Sequence, residues 1–505
     1  AGDPVTLGAA WATPPALLQP ALFEPPYSAM CLPAGRGAGS IADDVYALGV
    51  LLLTLALGRL PLAGLDDRAI IRAKLERGSF AALAGEARLP PAIADLARGM
   101  LAEDPEHRPP PALLADPVAA RARRVAARPP PRAQQPLATP SGPVWNARGL
   151  AHAIAVNPGH GAQLLRSGAV DRWLRHGLGV PGLAVRLDEA TRQHQPDADD
   201  AHADALLALR ATALLDPLAP LAWRGHALWP DGIGPLLAAT PERDAALANL
   251  IDSEAIAAWA ALRADRADPA PLATEAHQLR ALLHLSGWAG GAPRLRYALN
   301  PLLPCASPLL AGHCVARLTA LLPALEAAGA DPDTTSLLPI DREIAAFLAA
   351  RSEHRVEAPL AALAAARAPE AAALAQLRLL APLQQRLTPA PLPQLAGWLG
   401  AHVTPCLSRW QHRRRRAALA AALTTAIQAG SLAQMLAVLD DPTLEADAQG
   451  VRRATQAVQA LDQALATLTA GAPQRAQAAR RIGQDAMLGL GLSAVAVAAI
   501  ATLLG

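Results

Sequence analysis

The sequence is poor in aromatic residues and almost free of lysine. Aromatic residues make up 3% of the 505 residues, and Lys74 is the one lysine among 45 Lys and Arg residues. With so few rings available, the core has to be built from alanine, leucine and valine, which pack more readily between helices than in sheets. We therefore expect an all-α fold. The use of arginine in place of lysine is typical of a GC-rich genome.

Cysteine and net charge are also scarce. The cysteines, Cys31, Cys305, Cys314 and Cys406, are far apart and form no C-x-x-C pair. This spacing argues against a disulfide framework and a zinc knuckle, and it indicates a reducing compartment. We predict no metal site. The net charge is only +2, so no overall field would gather nucleic acid, and we expect no nucleic-acid partner.

Long apolar runs are limited to two. Residues 46–58 are apolar all round but too short to cross a bilayer, which predicts a helix buried inside a domain. Residues 486–505 carry no charge and would span about 30 Å as a helix, so we predict a single C-terminal transmembrane anchor. Arg480 and Arg481 precede this run, and the positive-inside tendency then places the bulk of the chain on the cytoplasmic face. The alternatives are an Ala-rich core helix and a truncated protein with several spans.

Composition divides the rest of the chain. Residues 119–145 lose the apolar period and gain proline and arginine, which is typical of a linker. We predict an all-helical domain over residues 146–440, because no alternation of apolar and polar residues there is long enough for a strand. This domain is either an irregular bundle or a degenerate α-solenoid. An amphipathic juxtamembrane helix is predicted over 447–471, ended by Gly471 and Pro473. Its heptad seam, which could pair with another helix, comprises Val451, Ala454, Val458, Leu461, Leu465 and Leu468.

Two motifs mark the N-terminal part of the chain. Asp43 and Asp44 stand where an N-cap is expected ahead of the apolar helix, and Gly58 stands where a helix ends. The run DDVYALGVLLLTLALGRLP is followed by LARGMLAEDPEHRPP. Together they resemble the C-lobe of eukaryotic-type serine/threonine protein kinases, whose central helix begins D-x-[YW]-[AS]-L-G and whose late turn reads D-P-x-x-R-P. The matching residues are Asp44, Tyr46, Leu48 and Gly49 in the first motif, and Asp104, Pro105, Arg108 and Pro109 in the second.

The resemblance assigns structural roles to these residues. It implies a C-lobe over residues 1–118, from the activation segment onward, in which Asp44 braces a catalytic loop from below. In such kinases the glutamate of an A-P-E motif pairs with the arginine of the later turn, and Glu24 lies at a suitable distance upstream. The resemblance thus implies a buried ion pair between Glu24 and Arg108, and the loss of one partner would strand a charge.

Departures from the kinase pattern argue against catalysis by this chain. Where D-F-G would fall, residues 5–8 read VTLG, so that Thr6 replaces the carboxylate that holds magnesium and Asp3 is displaced from it. No H-R-D-x-x-x-x-N loop occurs, and Lys74 follows the central helix, where an ATP-binding lysine cannot be. The resemblance therefore implies a pseudokinase, similar to bacterial kinase-like proteins, without a catalytic residue or cofactor. ATP and Mg²⁺ would bind only if an N-lobe lay upstream.

Four further stretches could carry a site. Glycine-rich residues 33–40 could cradle a phosphate, although we expect a loop leading into the central helix. Histidines and aspartates over 194–204 could hold a metal, but they also suit the first turn of a helix. Adjacent His313 and Cys314 could be a base and nucleophile, yet the stretch favours a packed connector. The densest basic cluster could contact anionic lipid or RNA phosphates, or form a solvated surface; it comprises Arg413, Arg414, Arg415 and Arg416.

Three functional hypotheses fit these features. The leading one is a membrane-anchored, kinase-like signalling or scaffold protein, a pseudokinase, whose helical domain binds protein partners of unknown identity. The second is the C-terminal part of an active serine/threonine kinase whose N-lobe and catalytic loop lie upstream of Ala1. The third is a helical scaffold with a vestigial kinase-like segment.

Overall fold

The computed structural model of the chain describes residues 19–122, 129–193, 201–353 and 356–504. Helices make up 70% and strands 3% of the structure, which confirms a mostly helical fold. The chain divides into two compact units, Ala1–Arg367 and Ala368–Gly505, called here the N-terminal unit and the C-terminal unit.

The first part of the N-terminal unit consists of short helices around one long helix. Its helices are α1 (Pro26–Ala29), α2 (Ile41–Leu57), α3 (Asp67–Arg77), α4 (Ser79–Ala84), α5 (Pro91–Met100), α6 (Pro111–Leu114) and α7 (Pro117–Ala122). Residues 19–118 are called the N-terminal segment below. The long helix α2 contains the apolar run that the sequence predicts to be helical.

Helix α2 begins at a capping box rather than at an aspartate N-cap. The N-cap residue is Ser40, whose amide and Oγ both donate to Asp43 Oδ2 at 2.9 Å. The prediction that Asp43 and Asp44 form the N-cap is therefore wrong, because Ser40 is the N-cap and Asp43, three residues later, accepts hydrogen bonds from its amide and hydroxyl. Gly58 ends the helix in the left-handed conformation with φ 64°, as predicted.

Only one face of α2 is buried. Leu48, Leu51 and Leu55 are 48%, 45% and 73% exposed, so the prediction of a helix buried inside a domain is wrong for this face. The other face packs on α5, where a Cβ atom at Gly49 would lie only 2.9 Å from Met100 Cβ. Glycine thus allows the two helices to approach closely. The buried residues of α2 are Val45, Tyr46, Gly49, Val50 and Leu53.

The described part of the predicted linker is folded. Strands β1 (Leu137–Thr139) and β2 (Gly142–Val144) form an antiparallel hairpin. Arg72 of α3 donates to the Ser141 carbonyl at 2.6 Å, and Asn146 Nδ2 donates to two carbonyls near the end of α3 at 3.1 Å. The stretch therefore packs on α3, and the division between compact units falls at residues 367 and 368 instead.

Residues 146–367, called the helical region, complete the N-terminal unit. A second antiparallel hairpin interrupts it, formed by β3 (Leu221–Trp223) and β4 (His226–Leu228), which differs from the expectation of helices alone. Buried helix α12 packs against α8 and α9 in the core. The helices are α8 (Ala147–Val156), α9 (Pro158–Arg166), α10 (Ala169–Arg172), α11 (Pro181–Gln193), α12 (Ala201–Leu215), α13 (Ile233–Ala239), α14 (Asp244–Asp252), α15 (Ala255–Ala261), α16 (Ala270–Leu283), α17 (Ala292–Leu299), α18 (Leu321–Ala328), α19 (Arg342–Arg351) and α20 (Glu357–Ala365).

The C-terminal unit combines a small bundle with two long helices. The helices of the unit are α21 (Pro369–Leu387), α22 (Pro393–Val403), α23 (Arg413–Gln428), α24 (Leu432–Leu439), α25 (Thr443–Ala470) and α26 (Ala472–Leu504). The first four pack on one another around a core that includes Leu377, Leu395, Trp410 and Met435. Side chains of α25 beyond Asp447 and of α26 are exposed throughout.

Helix α25 ends at Ala470 with Gly471 as its C-cap, where the sequence predicts the helix to end. The Gly471 amide donates to the Thr467 carbonyl, and the Arg475 amide donates to the Gly471 carbonyl, both at 3.0 Å and both at helical spacing. Pro473 occupies the second position of α26, where its missing amide is tolerated. Helical hydrogen bonding therefore runs from α25 into α26.

Candidate functional site

Residues of the two N-terminal motifs converge on the Tyr46 ring. Tyr46 is fully buried, and Lys74 Nζ and Arg108 Cζ lie 5.0 Å and 5.2 Å from its ring centre. Arg108 pairs with Asp43 at 3.0 Å and donates to the Ala42 carbonyl at 2.9 Å. Arg108 thus ties the D-P-x-x-R-P turn to the first turn of α2.

Glu24 does not pair with Arg108 as the kinase resemblance implies. The Glu24 carboxylate is buried and lies 3.5 Å from Arg36 Nη1, whereas Asp43 contacts Arg108. Burial raises the pKa of Glu24, although the charge of Arg36 opposes this rise. The expected Glu24–Arg108 pair is wrong, because the capping box of α2 brings Asp43 within reach of the guanidinium.

Lys74 also belongs to this site, although the sequence did not predict a role for it there. Its side chain is 0% exposed, and Nζ donates to the carbonyls of Ala21, Leu22 and Glu24 at 2.8, 2.7 and 2.8 Å. Burial lowers the pKa of Lys74 to about 7, with the charge of Glu24 acting in the opposite direction. Three acceptors around one nitrogen suit an ammonium better than a planar guanidinium. The isolated lysine in an arginine-rich sequence was the available signal.

Asp44 lies on the exposed face of α2. It makes no hydrogen bond or ion pair with any residue in the described ranges. Asp44, Leu48, Leu51 and Leu55 follow one another at helical spacing and share this face. The role implied for Asp44, bracing a catalytic loop, therefore has no partner in the part of the chain that the structure describes.

Asp104 joins the N-terminal segment to the helical region. Asp104 Oδ2 lies 2.9 Å from Arg266 Nη2, and Oδ1 accepts the Glu106 amide at 3.1 Å. Burial acts to raise the pKa of Asp104, but the hydrogen bonds from Arg266 and the Glu106 amide outweigh it, so the pKa is lowered. The second motif thus supplies an internal contact between two parts of the N-terminal unit.

The glycine-rich loop of residues 33–40 receives a carboxylate from the helical region. The Ala38 amide donates to Asp231 Oδ2 at 3.1 Å. Gly37 has φ 76°, and a Cβ atom there would overlap the Asp231 carboxylate. The Leu32 amide also donates to the Ala227 carbonyl of β4 at 3.0 Å, and the amide of Trp229, just after β4, donates to the Gly35 carbonyl at 2.8 Å. An internal aspartate therefore occupies this stretch. Residues Pro33–Arg36 form a short 3-10 helix, and residues 37–40 form the loop that leads into α2.

A cavity of about 220 Å³ lies among these contacts. Its lining includes Arg36, Arg108, Arg263 and Arg266 together with Asp43 and Asp231. Arg36, Arg108 and Arg266 each contact a carboxylate of the chain. Arg263 instead stacks on the Trp259 ring at 4.5 Å and donates to the Ala219 carbonyl at 3.1 Å. Because each arginine has a partner within the chain, the arrangement is suited to holding the N-terminal segment on the helical region.

The remaining sequence-predicted polar residues do not assemble a second site. Residues 5–8 with Thr6, as well as Asp3 and residues 194–200, lie outside the described residues. His202 packs edge-on against Trp223 at 5.5 Å, and Asp204 pairs with Arg166 at 2.6 Å. Within the described ranges, no group of three His, Cys, Asp or Glu side chains is placed to hold a metal.

His313 and Cys314 lie in the irregular connector between α17 and α18. Both side chains are exposed. Cys305, in the same connector, is buried, and burial raises the pKa of its thiol to about 12. The Cys305 thiol therefore stays protonated at neutral pH. The connector is packed at Cys305 but not at His313 and Cys314.

The basic cluster lies at the start of α23 in the C-terminal unit. Arg415 pairs with Asp447 of α25 at 3.4 Å, while the exposed members are Arg413, Arg414 and Arg416. Residue 486 lies roughly 60 Å further along the helices from Asp447, at about 1.5 Å per residue. Arg480 and Arg481 lie much nearer the apolar run along the chain than this cluster does.

Helix α26 is long and apolar enough to cross a membrane. Its most apolar window has a mean hydropathy of 2.2, and no part of that window is buried in the structure. A C-terminal helix of this kind fits a membrane anchor.

Comparison with known proteins does not assign the chain to a family. No protein-family model, no curated protein and no solved structure matches the chain.

Proposed function

We propose that this chain is a membrane-anchored, non-catalytic scaffold in which a kinase-like N-terminal segment is a structural part of the helical binding domain. The proposal unites the pseudokinase and vestigial-kinase hypotheses. It assigns the binding of protein partners to the helical region and gives the N-terminal segment the task of stabilising that region.

The Asp104–Arg266 ion pair is the observation that carries the proposal. Asp104 belongs to the motif that resembles the kinase turn, yet its carboxylate binds an arginine of the helical region at 2.9 Å. Conversely, Asp231 of the helical region accepts a hydrogen bond from the Ala38 amide in the glycine-rich loop of the N-terminal segment. Each of the two parts thus places a carboxylate on the other. This supports one continuous unit rather than a separate lobe that opens and closes around a nucleotide.

Anchoring is assigned to α26. Its apolar length supports insertion of residues 486–504, with the bulk of the chain on the cytoplasmic side because Arg480 and Arg481 precede the apolar run. Deleting residues 486–505 should release the protein from membranes into the soluble fraction. Wild-type protein should resist extraction at alkaline pH, and a wild-type protein that is extracted would contradict the anchor.

Absence of phosphate transfer is tested on the full chain in detergent micelles. We expect no metal-dependent transfer from labelled ATP to the protein or to a generic Ser/Thr substrate, and no thermal stabilisation by Mg²⁺ and ATP. An active Ser/Thr kinase in the same detergent serves as the positive control. Transfer that requires Mg²⁺ and is lost in Asp44→Asn would overturn the proposal.

A second candidate is the C-terminal part of an active kinase. The exposed Asp44 and the apolar residues beside it on α2 favour this alternative, because they could receive further chain. The coding sequence upstream of Ala1 separates the two functions. A glycine-rich loop, a strand lysine and an H-R-D motif there would support the enzyme.

A further inference from the structure

The heptad seam on α25 is an apolar surface without a partner in the described residues. Val451, Val458, Leu461, Leu465 and Leu468 are 39%, 56%, 70%, 63% and 59% exposed. With Ala454 they occupy alternating a and d positions, the spacing that lets one helix insert its side chains between those of another. A single helix in water gains nothing from such a seam, so the pattern indicates a helical partner.

The attachment of α25 shows where the free seam begins. One turn before Val451, Asp447 is buried and accepts the amides of Gln411 and His412 at 2.6 and 3.2 Å. This contact holds the start of α25 on the bundle. Beyond it the helix leaves the bundle and exposes the seam.

The same register continues into α26. Because helical hydrogen bonds run through Gly471, the a and d positions can be counted across the junction. Arg475 is the polar exception ahead of the apolar run, and its guanidinium donates to the Leu468 carbonyl of its own chain. The later a and d positions are Ala472, Arg475, Ala479, Ile482, Ala486, Gly489, Ser493, Ala496, Ile500 and Leu503. Their small side chains near the start of the span would let two helices approach within the bilayer.

Charge along the seam permits pairing between identical chains. In a parallel coiled coil, each e position faces the g position of the preceding heptad on its partner. Asp462 at e would face Ala457, and Thr469 at e would face Ala464, so no like charges are opposed at these flanking positions of α25. Arg475 at d would face its own copy, but its guanidinium is turned back to the Leu468 carbonyl of its own chain. Arg452 and Arg453 fall at b and c, away from the contact.

We infer that α25 and α26 pair with those of a second copy of this chain as a parallel, in-register coiled coil that continues into the membrane. This inference rests on the proposed anchor, because two chains inserted through α26 in one bilayer present α25 in the same direction and at the same height. A second copy is then the partner that matches the seam in length, register and direction.

Disulfide trapping in vesicles tests the arrangement. The full chain carries Cys314→Ser to remove the exposed native thiol, and is reconstituted at low density in phosphatidylcholine and phosphatidylglycerol vesicles. Oxidation should link Leu461→Cys into dimers, because d positions face each other across the seam. Gln463→Cys, at the outward f position, is the matched control and should give at least tenfold less dimer. Equal yields from the two variants would overturn the inference.

Direction is tested by mixing two single-cysteine variants. An antiparallel pair would bring residue 451 of one chain beside residue 468 of the other, whereas a parallel pair keeps them about 25 Å apart along the axis. Val451→Cys and Leu468→Cys, co-reconstituted, should therefore give no mixed dimer. A mixed dimer as abundant as the Leu461→Cys dimer would refute the parallel register.

Two double variants distinguish loss of the dimer from loss of folding and from loss of membrane anchoring. Leu461→Asp with Leu465→Asp should convert the detergent-solubilised protein from dimer to monomer by light scattering, while Gln459→Asp with Gln463→Asp leaves the dimer intact. Both proteins should keep the wild-type helical circular dichroism and resist alkaline extraction. Wild-type protein that is monomeric yet resists extraction would refute the dimer alone, whereas wild-type protein that is extracted would refute the proposed anchor.

Discussion

Replacing Lys74 by arginine should destabilise the packing of the N-terminal segment by about 4 kcal/mol, although both residues are basic. Lys74 Nζ donates to three carbonyls that precede α1, and its side chain is completely buried. The N–H groups of a guanidinium spread in a plane from three nitrogens, so they cannot converge on acceptors arranged around one point.

Two effects set this magnitude. Adding heavy atoms to a filled core site costs about 1–3 kcal/mol through displaced neighbours. A buried carbonyl that loses its donor costs about 1–3 kcal/mol more, and the planar group leaves at least one of the three without a donor. A change of about 4 kcal/mol corresponds to a roughly thousand-fold increase in the equilibrium for local opening.

Hydrogen exchange measured by mass spectrometry provides the assay, on the full chain in detergent. The native amides of Phe23, Ala29 and Met30 are hydrogen-bonded within this segment, so their exchange reports its opening. Lys74→Arg should accelerate exchange there, while Arg77→Lys, an exposed change on the same helix, should not. Exchange as slow in Lys74→Arg as in Arg77→Lys would refute the reasoning.

Three further predictions concern stability of the N-terminal unit. In a double-mutant cycle, Asp104→Asn and Arg266→Gln should show a coupling free energy of about 1–2 kcal/mol in thermal unfolding. Purely additive effects would show that the Asp104–Arg266 ion pair does not stabilise the N-terminal unit. Gly37→Ala should lower the melting temperature more than Gly64→Ala, because both glycines have positive φ but only Gly37 faces a carboxylate at short range; equal losses would contradict the contact. Burial lowers the pKa of His152 to about 4, so the unfolded chain binds a proton below about pH 6.5 that the folded chain does not. Unfolding free energy should therefore fall as the pH drops from 6.5 to 4, by up to about 1.4 kcal/mol per pH unit, and His152→Gln should reduce that slope.

Local signals in the sequence predicted the helical class and the positions of α2 and α26. Alanine and leucine dominate the composition, Gly58 marks a helix end, and the last apolar run is uninterrupted. The hairpins escaped prediction because each strand has three residues and gains its hydrogen bonds from a partner strand. The turn of the second hairpin contains Arg224 with φ 48°, which the sequence does not reveal.

The site was less predictable because its contacts join distant residues. Asp104 and Arg266 are 162 positions apart, and Ala38 and Asp231 are 193 apart, so one sequence carries no trace of either contact. The Ser40–Asp43 capping box was within reach of sequence reasoning, since its S-x-x-D spacing is local. Recognising it would have placed Asp43 in the first turn of α2, with Ser40 as the N-cap.

Burial of Lys74 has a practical consequence for the chemistry of the surface. The chain has no other lysine, and this one is inaccessible, so its folded surface presents no side-chain amine. Acylating reagents, amine-directed cross-linkers and enzymes that acetylate or ubiquitinate lysine would find no substrate there. A reaction at Lys74 would therefore report that the N-terminal segment has opened.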